Sequence, residues 1–289
     1  MASLSIAHAH ATKHVDIYVR CTTGNDFNDG LSDAAAVKTL KRAMDIMNAT
    51  TAGAYIHFKE PGEYNLSYPV ISGAMIHFLF ETSNVTMYWL DAKDKNWSKC
   101  FYACYINIHG NPDGTSIFHI RGSKPAYLEA GKMTVSNITW EDDGACAFGI
   151  IGGALQSASN IYKTHLYAGL SQLMFSNDVF ETTSKYSTSA IHAYNSSTIT
   201  FRNKTTFKNI DDNPSIKYLL SMTAATIFFA NAAKGISFIN TTTNRAYCRM
   251  CSMIGYNSRL TSWLSNCDTA GCTINGTYYE TLTNYKGGN

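Results

Sequence analysis

Five times between residues 106 and 240 the chain repeats one short figure: apolar, any, apolar, any, then Asn or Gly. The copies are Ile106-Asn-Ile-His-Gly110, Met133-Thr-Val-Ser-Asn137, Leu173-Met-Phe-Ser-Asn177, Ile199-Thr-Phe-Arg-Asn203 and Ile236-Ser-Phe-Ile-Asn240. Alternation at period two puts the apolar pair on one side of a strand and the polar residues on the other. The closing Asn or Gly tolerates the left-handed backbone of a sharp corner. Three copies continue into a large aromatic (Trp140, Phe180 and Phe207), which gives a second short strand after the bend. The copies start 27, 40, 26 and 37 residues apart. Coils of roughly 20 to 30 residues account for the short gaps, and loop insertions or a degenerate coil for the long ones. A β-sandwich would also show many short strands, so the choice between the two rests on what precedes the repeats.

Residues 16 to 64 precede them. The apolar strand Ile17-Tyr18-Val19 runs into a polar turn of Gly24, Asn25, Asp26, Asn28, Asp29 and Gly30. Val37, Leu40, Met44 and Met47 then form one apolar stripe at helical spacing, with Ser32 or Asp33 placed to cap the helix. A second apolar strand closes on Pro61-Gly62-Glu63-Tyr64. In a solenoid such a helix covers the open edge of the first coil, which would otherwise recruit other strands. This order resembles the entrance module of the pectate-lyase-like right-handed parallel β-helix superfamily, as found in phage tail spikes and tail fibres. The resemblance rests on Tyr18-Val19, on Gly24 to Leu31, on Lys38-Thr39-Leu40 with Ala43, and on Pro61 to Tyr64. It implies an all-β right-handed parallel β-helix with an N-terminal capping α-helix. The expected divisions are an arm at 1–15, the entrance strand and helix at 16–52, the β-helix at 53–245, and a cap or oligomer-contact segment at 246–289.

Composition narrows the partners. Apolar residues make up 45% of the 289, charged residues 15%, and the net charge is +2. No dense Lys/Arg run offers a nucleic-acid face. The N-terminus lacks a basic stretch followed by an apolar one, and no run of about 18 apolar residues occurs, so neither a signal peptide nor a membrane span is expected. Without an export signal the nine N-x-[ST] sequons read as Asn-rich turns, and the eight cysteines as mostly thiols. His8, His10 and His14 can bind a metal or belong to a docking arm.

The candidate chemistry is sparse. The densest acidic site is Glu141-Asp142-Asp143, directly after Trp140, with Asp178 and Glu181 beside Phe180 one copy later. Equivalent positions on successive coils stack about 4.8 Å apart, so these acids can line one groove, with Trp140 offering a sugar-stacking face. Glycoside hydrolysis would need such a pair of carboxyl groups; the alternative is that they are solvated turn residues. Of the N-T-D, D-D, G-H-G and R-I-K motifs of polygalacturonases, Asp142-Asp143 matches the second in letters only and no G-H-G or R-I-K occurs; the Arg-rich, Ca²⁺-binding pattern of pectate lyases is also missing. Cys248, Cys251, Cys267 and Cys272 have a zinc-like spacing, with a disulfide pair or packed thiols as the other readings. No cofactor is expected. The resemblance implies a homotrimeric virion protein, made in the host cytoplasm, that binds a cell-surface glycan and contacts other virion proteins through residues 1–15. A polysaccharide depolymerase using the groove acids is the alternative.

Overall fold

The computed structural model describes residues 14–50, 53–68, 70–90, 99–143, 147–181, 188–229, 236–242, 244–254 and 267–283. His8, His10 and Cys146 lie outside them. Apart from one α-helix and two short 3₁₀ turns the described chain is all β, and its strands form two compact units, residues 1–143 and 144–289. Each is a parallel β-solenoid, as the repeats predict. No described helix is long and apolar enough to cross a membrane.

In the first unit each coil visits three faces in turn. Face 1 stacks Val15–Val19, Gly53–Phe58, Met75–Phe80, Tyr105–His109 and Lys132–Ser136, all parallel and in register. Face 2 stacks Gly62–Leu66, Val85–Trp89, Ile117–Ile120 and Thr139–Asp142. Face 3 stacks Val70–Ser72, Lys99–Tyr102 and Ala126–Glu129. Single residues in the left-handed region turn the corners, among them Asn84, Ala103, Ala130 and Asn137. Gly110 turns no such corner; it is needed because a Cβ there would lie 2.0 Å from the Asn137 carbonyl oxygen.

Helix α1 runs Leu40–Thr50 and buries Leu40, Ala43, Met44, Ile46 and Met47 against the first strands of faces 1 and 2. It starts three residues later than the apolar stripe suggests. Val37 is buried as a bridge partner of Val19, so its backbone is extended and not helical. Thr39 therefore opens the helix, its Oγ1 accepting the Arg42 N–H, while the Asp26 carboxylate accepts from the N–H groups of Lys38 and Thr39. Ser32 caps the short Asp33–Ala35 turn instead.

The second unit repeats the plan by order along the chain. Face 3 stacks Ala147–Ile151, His165–Gly169, Ser189–Tyr194, Tyr218–Thr223 and Asn244–Arg249. Face 1 stacks Ala154–Ala158, Gln172–Ser176, Thr198–Phe201, Thr226–Phe229 and Ser252–Ile254. Face 2 stacks Ile161–Tyr162, Val179–Phe180, Thr205–Lys208 and Ile236–Ile239. Cys267–Ile274 adds to the stack, and Thr277–Thr283 turns back on it as the one antiparallel partner among the described strands.

The spacing of the repeats now has a physical basis. The 40-residue gap is a degenerate coil: Leu155 takes the repeat position, and Ser159 turns the corner at φ 60° where other copies have Asn. The Ile236 copy lies on face 2, not face 1, because a period-two pattern sets which side chains face inward but not which wall the strand joins. Face 1 at that level is filled by Thr226–Phe229.

The core is an aromatic stack. In the first unit Phe118 and Trp140 stack at 4.6 Å, and both are fully buried. In the second unit Tyr162, Phe180, Phe207 and Phe238 follow one another at 5.0, 5.1 and 6.1 Å. Offset rings at these separations stabilise beyond simple area burial.

Candidate functional site

On the outer surface of face 2 in the first unit, strand parity brings Asn65, Tyr88, His119 and Glu141 into one register column. The alternate residues, Tyr64, Met87, Phe118 and Trp140, point into the core. Around that column a polar cluster forms. His119 Nε2 lies 2.7 Å from Asp143 Oδ1, and His119 Nδ1 lies 3.6 Å from Glu141 Oε2. Asp143 Oδ2 accepts the Gly122 N–H at 2.6 Å. The Tyr88 ring is 5.3 Å from the His119 ring, its hydroxyl donates to Glu63 Oε1 at 3.2 Å, and the Arg121 guanidinium lies over its face at 4.2 Å.

The electrostatics of this cluster follow from its contacts. Burial raises the Asp143 carboxyl, but the Gly122 N–H, the His119 hydrogen bond and the charges of His119 and Arg121 outweigh it and hold its pKa below the ordinary value. Partial burial, with the Glu63 carboxylate nearby, raises the Tyr88 hydroxyl. These side chains stand on a hydrogen-bonded sheet and hold one another. They present donors, acceptors and an aromatic ring in fixed positions, so a ligand would order few of them on binding.

The expected groove is only partly there. Glu141 and Asp143 share the cluster. Asp142 has the parity of Leu66, Trp89 and Ile120, and ends its strand half-buried. Trp140 is not a sugar-stacking platform: its ring is fully buried against Phe118. Along the chain the strand Ile161–Tyr162 comes between the Trp140 and Phe180 strands, and Asp178 and Glu181 belong to the second unit.

Those two acids also occupy different sides of their own wall. Asp178 is fully buried, and Oδ1 accepts from Ser157 Oγ at 2.7 Å and from the Asn160 N–H at 2.9 Å. Its Oδ2 accepts the Ser176 N–H at 2.8 Å. Burial pushes its pKa up to about 6 against the opposing hydrogen bonds. This is an internal corner brace, not a groove acid. Glu181 is partly exposed and pairs with Lys208 Nζ at 2.6 Å.

The zinc candidate also resolves differently. Cys248, Cys251, Cys267 and Cys272 are buried, and among the described residues no group of three or more His, Cys, Asp or Glu side chains is arranged to hold a metal ion. Cys251 Sγ donates to the Arg249 carbonyl at 3.1 Å, and Cys272 Sγ to the Ala270 carbonyl at 3.4 Å. The hydrogen bond with Cys248, together with burial, pushes the Cys251 thiol up to about 11, so it is protonated at neutral pH.

His119, Arg121, Tyr88 and Glu63 were not foreseen as members of a site. Glu141 follows His119 by 22 residues, and only the length of the intervening coil puts them side by side. A search for polar residues at coil spacing upstream of the acidic run is the signal that would have found them.

A scan against family models gives no match, nor does a search of curated proteins. Among solved structures, a rhamnogalacturonan lyase aligns with 83% of this chain and 68% of its own, at 11% identity and a TM-score of 0.26. A likeness of that size carries no argument about what this chain does.

Proposed function

We propose that this chain is a glycan-binding β-solenoid that recognises a cell-surface polysaccharide through face 2 of its first unit. The observation that carries this reading is the fixed array of Glu63, Tyr88, His119, Arg121, Glu141 and Asp143 on a rigid sheet. Polyols are bound by such a mixture of planar donors, carboxylate acceptors and a ring face. Three carboxylates against one guanidinium and one imidazole favour hydroxyl-rich or amino sugars over uronates.

Binding fits this geometry better than cleavage. A glycosidase needs one carboxyl group with a raised pKa as general acid. Asp143 is shifted the other way and both its oxygens are engaged, while Asp178, the carboxyl with the raised pKa, is buried within the wall. The setting we propose is a virion appendage assembled as a homotrimer and attached through residues 1–15. The entrance segment supports that setting through its resemblance to tail-spike and tail-fibre modules.

The test is titration calorimetry with capsular polysaccharides and lipopolysaccharide O-chains, with chain length followed by size exclusion. A polysaccharide should bind without shortening, and Arg121→Ala should weaken binding at least tenfold. Shortened chains, abolished by Asp143→Asn, would establish the depolymerase instead. Sedimentation of the chain as a monomer at micromolar concentration would overturn the trimer.

A further inference from the structure

On the outer surface of face 1 in the first unit, a second cluster has no part in the glycan site. Asp16, Tyr55, His77, Asn107 and Thr134 form one register column, and Gly53 pairs with Met75 beside it. His14, directly before the first strand, folds onto this wall. Its Nε2 lies 2.7 Å from Met75 Sδ, and its ring meets that of His77 edge-on at 5.5 Å. Tyr55 packs against both imidazoles, at 5.1 Å from His14 and 4.2 Å from His77. The seat depends on Gly53: a Cβ there would come within 2.5 Å of His14 Cδ2.

We propose that His14, Met75 and His77 form a binding site for a soft monovalent metal ion of the Cu(I) class. Two imidazole nitrogens and a thioether are a neutral, soft donor set. That set selects Cu(I) over hard divalent ions, which prefer carboxylates and water. The nearest carboxylate on this column, Asp16, is engaged at 2.9 Å by His57 Nε2. Asn107 Nδ2 lies 3.1 Å from His77 Nδ1. With its amide turned about the last side-chain bond, Asn107 presents its carbonyl to Nδ1–H and leaves His77 Nε2 free for the metal, the usual outer partner of a ligating imidazole. Tyr55 shields one side of the site.

The test uses the full chain, with accessible thiols blocked by iodoacetamide and Met labelled with ¹³C at its methyl group. Ag(I), a redox-inert stand-in, is titrated in first, followed by Cu(I) in competition with bathocuproine disulfonate under anaerobic conditions. One equivalent of Ag(I) should shift the Met75 methyl resonance together with the His14 and His77 ring signals. Met75→Leu, which keeps the packing volume, should weaken Cu(I) binding at least tenfold without changing the melting temperature. A variant carrying both His8→Ala and His10→Ala should keep the affinity. An unshifted Met75 methyl, an affinity unchanged in Met75→Leu, or binding lost only with His8 and His10 would each overturn the site.

Discussion

Asp143 and Asp178 are the same residue beside the same kind of aromatic strand, and they do opposite things. Asp143 follows its strand, faces outward and is held ionised by His119, Arg121 and a backbone N–H. Asp178 precedes its strand, points inward and accepts three backbone or hydroxyl donors in a place where burial dominates, so its pKa rises to about 6. The difference teaches that in a solenoid a residue's role depends on its place at the corner and its parity, more than on its neighbours in sequence. One carboxylate braces the outer-wall cluster that a ligand would meet; the other fixes the turn between two walls.

The largest effect that sharpens this contrast comes from the ring that sets the parity. Trp140→Ala should destabilise the fold by about 3–5 kcal/mol, read as a shift in the denaturant midpoint, because it opens a cavity beside Phe118. A loss under about 1 kcal/mol would mean that the ring is not core, and that Glu141 need not face out. Next in size is Asp178→Ala. It strands the buried N–H groups of Asn160 and Ser176 and removes one partner of the Ser157 hydroxyl, and should cost about 2–4 kcal/mol.

The pH dependence separates the two carboxylates by sign. For Asp178 the folded pKa of about 6 exceeds the ordinary value of 3.8, so the folded state holds the proton more tightly. Its contribution is fully present below about pH 4 and is lost as pH rises through about 6, a change of order 3 kcal/mol. Asp178→Asn should remove that slope from the stability curve. Asp143 has its pKa lowered, so its contribution is present above the ordinary carboxylate range and lost as pH falls through the folded value. Its side chain is 40% exposed, so Asp143→Asn should change stability at neutral pH by less than about 1 kcal/mol. Equal slopes of one sign at both positions would break the comparison.

Much of the scaffold was legible in the sequence. The repeats gave the walls, and the closing Asn of Asn137, Asn177 and Asn240 does adopt the left-handed backbone. The helix stripe was right at Leu40, Met44 and Met47 and wrong at Val37, where a strand partner, Val19, competes with helix formation. The site was harder to see. Trp140 gave no local sign of facing inward, because the bend at Asn137 resets the alternation established by Met133 and Val135. His119 and Arg121 meet the acids only through register across a whole coil, which no short motif encodes.

The measurement that tests the central claim most directly is the glycan affinity of Asp143→Asn beside that of Asp178→Asn, each confirmed folded by its melting curve. Asp143→Asn should lose at least tenfold in affinity while its melting temperature barely moves, and Asp178→Asn should bind as the unaltered chain does. Unchanged binding in Asp143→Asn, or a loss confined to Asp178→Asn, would contradict the assignment of the outer wall as the recognition surface.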